Sequence, residues 1–138
     1  MRTIDSFQVN EPFSLAQTCD PYRPIYYAAA SGDFNPIHID AEVGRAAGLD
    51  GVILQGLCTM AWAAEAAARL YGDPARLKKL SVRFSAPVKP GDTITVEGAV
   101  TGIEGDRVAA RFKAVNQRGE AVLKNGLAEG VIEDRTEA

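Results

Sequence analysis

Gly56-Leu-Cys-Thr-Met-Ala-Trp-Ala-Ala-Glu-Ala-Ala-Ala-Arg-Leu70 is the longest helix-like stretch of the chain, and we expect the other elements to fold around it. Apolar residues recur in it at helical spacing: Leu57, Met60, Ala61, Ala64, Ala68 and Tyr71. The remaining faces carry Trp62 and further alanines, so the helix is apolar nearly all round, which predicts burial. Gly72 and Pro74 are expected to end it.

After Leu77 the apolar period changes to two, which is typical of half-buried strands. Leu80, Val82, Phe84 and Ala86 alternate with polar residues. Three further strands are predicted over Thr93–Ile103, around residues 108–114 and over Ala121–Val131, and Phe13–Thr18 is predicted as an earlier strand. The turns between the later strands are short, which favours antiparallel pairing. We therefore predict an α+β fold, in which a four-stranded meander and a fifth strand curl around the central helix.

The segment Ser31-Gly-Asp-Phe-Asn-Pro-Ile-His-Ile-Asp40 contains the only histidine of the chain. Ser-Gly-Asp favours a turn, and proline pushes the residue before it towards extended backbone. The segment is therefore predicted to be a rigid loop rather than a helix. It fixes the carboxylate of Asp33 and the imidazole of His38 on one short piece of chain, an arrangement suited to acid–base chemistry on water.

Short helices are predicted on both sides of this loop. Asp20 is placed to cap a helix over Pro21–Ala30, and Asp40 to cap one over Ala41–Ala47. Gly48 is expected to end the second helix.

Composition and charge narrow the function further. The chain has 138 residues, 46% of them hydrophobic, which is typical of a globular protein. Its net charge of −3 argues against nucleic acid as a partner. No apolar run approaches the roughly 20 residues of a membrane span, and residues 1–5 lack a signal-peptide core. Cys19 and Cys58 have no CxxC context, which predicts free thiols, no zinc site and a cytoplasmic location.

Three motifs resemble the MaoC-like (R)-specific enoyl-CoA hydratases, also called hydratase 2. They are Tyr27-Ala-Ala-Ala-Ser-Gly-Asp-Phe-Asn-Pro-Ile-His-Ile-Asp40, Gly51-Val-Ile-Leu-Gln-Gly-Leu57 and Val82-Arg-Phe-Ser-Ala-Pro-Val-Lys-Pro-Gly-Asp92. The Gly-Asp-x-Asn-Pro-x-His element is specific, whereas the Pro-Gly-Asp turn is generic. The resemblance implies one hotdog domain over residues 1–138 and a hydro-lyase that needs no cofactor or metal.

The resemblance also implies roles for four residues. Asp33 and His38 would activate the water that adds to a trans-2-enoyl thioester, and Asn35 would orient them. The backbone N–H of Gly56 would donate to the thioester carbonyl. That role has an independent physical basis, because the free N–H groups and dipole of a helix N-terminus stabilise negative charge.

The sequence departs from the family beside Gly56. The family usually has His-Gly-Met where Gln55-Gly56-Leu57 stands, and Gln55 cannot titrate. We place Gln55 and Leu57 with the residues that bind substrate. Arg76, Lys78 and Lys79 belong to the densest basic cluster, which is usually a solvated face and less often meets the phosphates of coenzyme A or of an acyl carrier's phosphopantetheine.

Several alternatives remain open at this point. Asp33 and His38 would be purely structural in an ordinary turn, and Gly56 would then be only a helix start. A hotdog thioesterase would direct water at the thioester carbonyl. A non-enzymatic, acyl-binding subunit of a heterodimeric dehydratase is a further alternative, but such subunits tend to lack the Asp33–His38 pair, so in a heterodimer this chain would be the catalytic subunit. Open sheet edges favour at least a homodimer, since proteins rarely leave them exposed.

Overall fold

The computed structural model describes residues 1–133, and the last five residues of the predicted single domain over 1–138 lie outside them. Its elements in chain order are β1 Pro12–Thr18, α1 Arg23–Ser31, α2 Ala41–Ala46, α3 Gly56–Tyr71, β2 Leu77–Phe84, β3 Thr93–Glu104, β4 Arg107–Val115 and β5 Ala121–Val131. Short 3₁₀ turns cover Ile4–Ser6, Pro36–His38 and Pro74–Arg76. No helix in this part of the chain is both long and apolar enough to cross a bilayer.

One antiparallel sheet holds all five strands in the order β1-β3-β4-β5-β2. The prediction of antiparallel strands is confirmed, but the prediction of a four-stranded meander is wrong. Only β3, β4 and β5 follow one another as neighbours. The eight residues between β2 and β3 carry the chain across the sheet, so that β2 pairs with β5 at the far edge.

The core lies between α3 and the concave face of this sheet. Alternate residues of β3 and β4 are buried, among them Val96, Val100, Val108 and Ala110. They belong to the same buried cluster as one side of α3, and that helix contacts β1, β2, β3 and β5. The period of two in the strands and the apolar stripe of the helix therefore fill one common core.

The prediction that α3 is buried all round is wrong for the single chain. Its sheet-facing side is buried, including Trp62, Ala66 and Tyr71. The opposite side carries Leu57, which is 62% exposed, and Ala61, which is also exposed. The helix ends where predicted, since Gly72 takes the left-handed conformation with φ of +82° and its N–H donates to the carbonyl of Ala68.

Two local predictions need correction. The first helix starts at Arg23 rather than Pro21, because Asp20 accepts a hydrogen bond from the Tyr22 N–H before the helix begins, and Pro24 occupies its first turn. The segment predicted as a loop contains a 3₁₀ turn over Pro36–His38, whose start is capped by Asn35. The cap at Asp40 is as predicted, since its carboxylate accepts from the Glu42 N–H.

Candidate active site

The segment that carries Asp33 is held by short-range hydrogen bonds. Gly32 ends α1 in the left-handed conformation, with φ of +79°. The Ser31 hydroxyl donates to the Tyr27 carbonyl and accepts from the Asp33 N–H at 3.1 Å. One carboxylate oxygen of Asp33 accepts from the Asn35 N–H at 3.3 Å. This turn leaves the other carboxylate oxygen free to face His38.

Asn35 supports the same turn by its side chain. Its Oδ1 accepts from the Ile37 N–H at 3.2 Å and so starts the 3₁₀ turn that contains His38. The fixed φ of Pro36 suits the first position of that turn. Asn35 therefore acts on both halves of the pair, through its N–H on Asp33 and through its side chain on the turn of His38.

His38 is buried, whereas Asp33 is half exposed. The side-chain exposure is 9% for His38 and 47% for Asp33, and Nε2 of His38 lies 3.7 Å from Oδ2 of Asp33. Nδ1 of His38 lies 2.8 Å from the Ile53 carbonyl oxygen. Because a carbonyl only accepts, Nδ1 carries the proton, and Nε2 is the nitrogen turned towards Asp33.

The same segment of chain that fixes His38 leads directly into α3. The Ile53 N–H donates to the Ile37 carbonyl at 3.2 Å, and the Leu54 N–H donates to the Val88 carbonyl at 2.8 Å. Two residues later α3 begins at Gly56. The first N–H groups of a helix have no acceptor within it, so the Gly56 N–H is available to a ligand.

A cavity of about 360 Å³ contains both His38 and Gly56 in its wall. Most of the wall is apolar, with Ile53, Phe84 and Leu123 among its residues. This volume falls in the usual range of small-molecule sites. An apolar cavity with a histidine at one point and a helix N-terminus at another fits an acyl group whose polar end is held between them.

Thr59 is a cavity residue that the sequence reasoning missed. It is 2% exposed, and its hydroxyl has no hydrogen-bond partner among the described residues. Its position three residues after Gly56, on the same face of the helix, was the available signal.

The structure does not place Gln55 and Leu57 in the cavity wall. Leu57 points outward. Gln55 is 1% exposed, and its Nε2 donates to the Pro24 carbonyl at 2.9 Å and to the Asp33 carbonyl at 3.4 Å. The side chain of Gln55 is fully turned into the protein, so the cavity wall gives no support to the prediction that it binds substrate.

The basic cluster lies away from the cavity. Arg76 is 8% exposed, and its Nη1 donates to the carbonyls of Arg2 and Tyr71 at 2.7 and 3.0 Å. The bonds of Nη1 and the burial of Arg76 favour a structural role for it over contact with phosphates. Lys78 and Lys79 are exposed at the start of β2. Phe84, at the cavity, is six residues from Lys78, or about 20 Å along the strand.

Burial keeps both cysteines protonated. It raises the pKa of the Cys19 thiol to about 12 and also raises the pKa of Cys58. Neither thiol is bonded in a disulfide. No group of three or more His, Cys, Asp or Glu side chains within residues 1–133 is arranged to hold a metal ion.

The antiparallel sheet curled around one helix defines a hotdog fold. The family model described as MaoC like domain matches residues 8–122. The chain belongs to the MaoC-like family.

The relatives and solved structures agree with this assignment. The chain is 37% identical over 108 residues to "Probable enoyl-CoA hydratase 2" of Dictyostelium discoideum, covering 77% of this chain and 36% of that protein. It is 41% identical over 95 residues to "Enoyl-CoA hydratase 2, peroxisomal" of Arabidopsis thaliana, covering 67% and 29%. The chain thus spans about a third of the length of these curated relatives. The unliganded "R-Hydratase PhaJ1" of Pseudomonas aeruginosa superposes with a TM-score of 0.85 at 25% identity, covering 96% of this chain and 86% of that chain.

Proposed function

We propose that this chain is a hydro-lyase that interconverts trans-2-enoyl thioesters and (R)-3-hydroxyacyl thioesters. The observation that carries the proposal is the cavity whose wall contains both His38 and Gly56, with Asp33 outside the lining and 3.7 Å from His38. Relatives named enoyl-CoA hydratase 2 and a solved (R)-hydratase of the same fold support it.

The Asp33–His38 pair is suited to holding one water molecule. With Nδ1 of His38 bonded to the Ile53 carbonyl, Nε2 of the neutral ring accepts a hydrogen bond, as does the Asp33 carboxylate. Their separation of 3.7 Å exceeds a direct hydrogen bond. A water that donates one hydrogen to each acceptor satisfies both and presents its oxygen to the cavity. Asp33 then acts as the base, and His38 shares the proton.

The N-terminus of α3 is suited to the other end of the substrate. When the water oxygen bonds to C3, electrons move through C2 onto the thioester oxygen, which becomes an enolate. The Gly56 N–H and the helix dipole stabilise that charge. The proton taken from water returns to C2 through the Asp33–His38 pair, so that water is added across the double bond and the carbon–sulfur bond stays intact.

The acyl carrier is coenzyme A or an acyl carrier protein in this proposal, and the apolar part of the cavity receives the acyl chain. The phosphates of either carrier are expected to lie outside the cavity. Lys78 and Lys79 lie at the far end of β2 from the cavity. In this proposal they would contact the phosphates only of a carrier that is bound at the cavity of a second subunit.

We further propose that the chain forms at least a homodimer. The strands β1 and β2 are the two edges of the sheet, and α3 exposes Leu57 and Ala61 on the side away from it. Tyr22, just before α1, and Tyr26 within it add exposed aromatic surface. A second copy would cover such apolar surface. Light scattering should give at least twice the mass of one chain at micromolar concentration, whereas a monomer would contradict the proposal.

The proposed location is the cytoplasm, where the two free and buried cysteines stay reduced. Because some relatives are named peroxisomal, the peroxisome is the alternative. Fractionation of cells that express the full chain separates the two, and sedimentation with peroxisomes would overturn the cytoplasmic proposal.

The enzymatic proposal is tested with crotonyl-CoA and a longer trans-2-enoyl-CoA. The loss of conjugated ultraviolet absorbance is followed, and the product is analysed by chiral chromatography. We expect (R)-3-hydroxyacyl-CoA, and at least about 10²-fold slower turnover by Asp33→Asn, which serves as the matched blank. An (S) product, or equal turnover by the blank, would contradict the assignment.

A further inference from the structure

Gln55 lies between the two halves of the site without touching the cavity. It is the residue before Gly56, at the N-cap of α3, yet its side chain makes no capping hydrogen bond there. Its amide instead turns back into the protein and reaches the first turn of α1, at the Pro24 carbonyl, and the loop, at the Asp33 carbonyl. One buried side chain therefore connects the helix N-terminus to the backbone of the carboxylate residue.

The other polar contacts of Asp33 are all local. Its partners Ser31 and Asn35 lie two residues away, and His38 lies five residues away. Gln55 is 22 residues away, on a different element. Local bonds fix the shape of the turn. The His38 half of the loop is joined to the segment before Gly56 through Ile53, which bonds to the Ile37 carbonyl and to Nδ1 of His38. Among the described residues, the bond from Gln55 is the one that joins Asp33 itself to the residue before α3.

The chemistry of a primary amide fits this place. Two carbonyl oxygens converge on Nε2, and an amide nitrogen offers two N–H donors. The reversed amide would set its oxygen against both carbonyls, so the hydrogen bonds determine the orientation. A neutral histidine, the residue that the family usually has here, offers a single N–H donor, and a glutamate offers none.

The two ends of the Gln55 amide differ. Its Oε1 is buried and has no hydrogen-bond partner among the described residues, which opposes folding. What the amide adds over an apolar residue of similar size is therefore the pair of bonds from Nε2 to the Pro24 and Asp33 carbonyls.

We propose that Gln55 is a positioning residue, which sets where Asp33 stands relative to His38 and to the carbonyl donor of Gly56. The expected effect on kinetics rests on the proposed hydratase function, whereas the contacts of Gln55 do not depend on it. Because reacting groups must be aligned closely, a displacement of Asp33 by about 1 Å would slow the chemical step up to about 10²-fold. Substrate binding would change little, since Gln55 does not line the cavity.

The test is Gln55→Met, which keeps the length and bulk of the side chain and removes both donors. We expect kcat to fall about 10- to 100-fold while KM stays within about threefold. The matched control is Val100→Ala, which truncates a fully buried residue of β3 away from the cavity. It should lower the melting temperature at least as much as Gln55→Met and leave kcat near wild type. An unchanged kcat in Gln55→Met, or an equal loss in the control, would overturn the proposal.

A second measurement does not depend on activity. His38 is the only histidine, so its ring signals are identified without assignment in a proton–nitrogen NMR spectrum. If Gln55 positions Asp33 against the ring, Gln55→Met should shift the His38 signals in the same direction as Asp33→Asn does. Ring signals identical to wild type would overturn the proposal. If the wild-type protein does not hydrate enoyl-CoA but these shifts appear, the proposed function fails and the positioning role stands.

Discussion

The helix–sheet core and the Ser31–Asp40 segment are stabilised in opposite ways. Core residues such as Val100 and Val108 are fully buried and packed by many apolar neighbours. In the segment, nearly every residue is exposed, and its shape depends on a few hydrogen bonds from Ser31, Asn35 and Gln55. The comparison teaches that rigidity at the site comes from directed polar contacts, so substitutions there should change catalysis more than stability, and core substitutions should do the reverse.

The largest expected effect is on turnover in the exposed segment. Asp33→Asn and His38→Gln should each lower kcat/KM by about 10²- to 10⁴-fold, the usual contribution of a positioned acid–base group. The double variant should be hardly worse than either single one, because both residues act on one water.

The stability of these variants provides the check on the comparison. Because Asp33 is half exposed, urea unfolding of Asp33→Asn should stay within about 1 kcal/mol of wild type. Full activity in a folded single variant would show that the segment is only structural. Additive losses would show that the two residues act on separate steps.

The next effect concerns the helix N-terminus. Gly56→Pro and Gly56→Ala both add a Cβ that would lie 3.0 Å from the Phe84 ring, but only proline removes the N–H. Proline is tolerated at the first helical position, and the ψ of 130° at Gln55 suits a residue before proline. We expect kcat to be about 10²- to 10³-fold lower in the proline variant than in the alanine variant. Equal activity of the two would remove Gly56 from the carbonyl site.

A core variant should show the opposite pattern. A Cβ at Gly98 in β3 would overlap the Arg111 carbonyl and lie 2.6 Å from Cβ of Phe112, whereas a Cβ at Gly102 in the same strand meets open space. Gly98→Ala should lower the free energy of unfolding by about 3 kcal/mol. Gly102→Ala should stay within about 0.5 kcal/mol of wild type. Both should keep near-normal kcat. A large kcat loss in folded Gly98→Ala would contradict the conclusion that core substitutions change stability more than catalysis.

The core and the Ser31–Asp40 segment also differ in how well their structures can be predicted from the sequence. The apolar periods locate α3 and the strands, because each element must bury one face in the core. They do not encode which strands become neighbours, so the pairing of β2 with β5 was missed. The Asp33–His38 segment is predictable from its turn residues and spacing. The contacts of Gln55 and of Arg76 are not predictable, because their partners are backbone carbonyls. Every residue has a carbonyl, so the sequence does not identify which one is bonded.

The smallest expected effect is an alkaline loss of stability in the core. Burial raises the pKa of Tyr71 to about 12 from its ordinary value of 10.0, and its hydroxyl donates to the Val108 carbonyl. Tyr71 ionises at lower pH in the unfolded chain than in the folded one. The stability that its protonated hydroxyl contributes is therefore fully present below pH 10 and is lost as the pH rises towards 12.

Burial also raises the pKa of Cys19 to about 12, so both groups contribute to the alkaline loss of stability. Tyr71→Phe removes the contribution of Tyr71 alone. It should cost about 1 kcal/mol at neutral pH through the lost hydrogen bond and should flatten the decline above pH 10. Urea unfolding followed by the fluorescence of Trp62, the only tryptophan, measures both. A decline as steep in the variant as in wild type would assign the loss to other groups.

The most direct test of the central claim follows two signals in one reaction. Wild-type protein is incubated with a trans-2-enoyl-CoA while conjugated absorbance and free thiol are recorded together. If Asp33 and His38 direct water to C3 and Gly56 holds the enolate oxygen, absorbance falls and no thiol appears. Thiol released in proportion to the substrate consumed would place the attacking water at the carbonyl, and the same residues would then belong to a thioesterase.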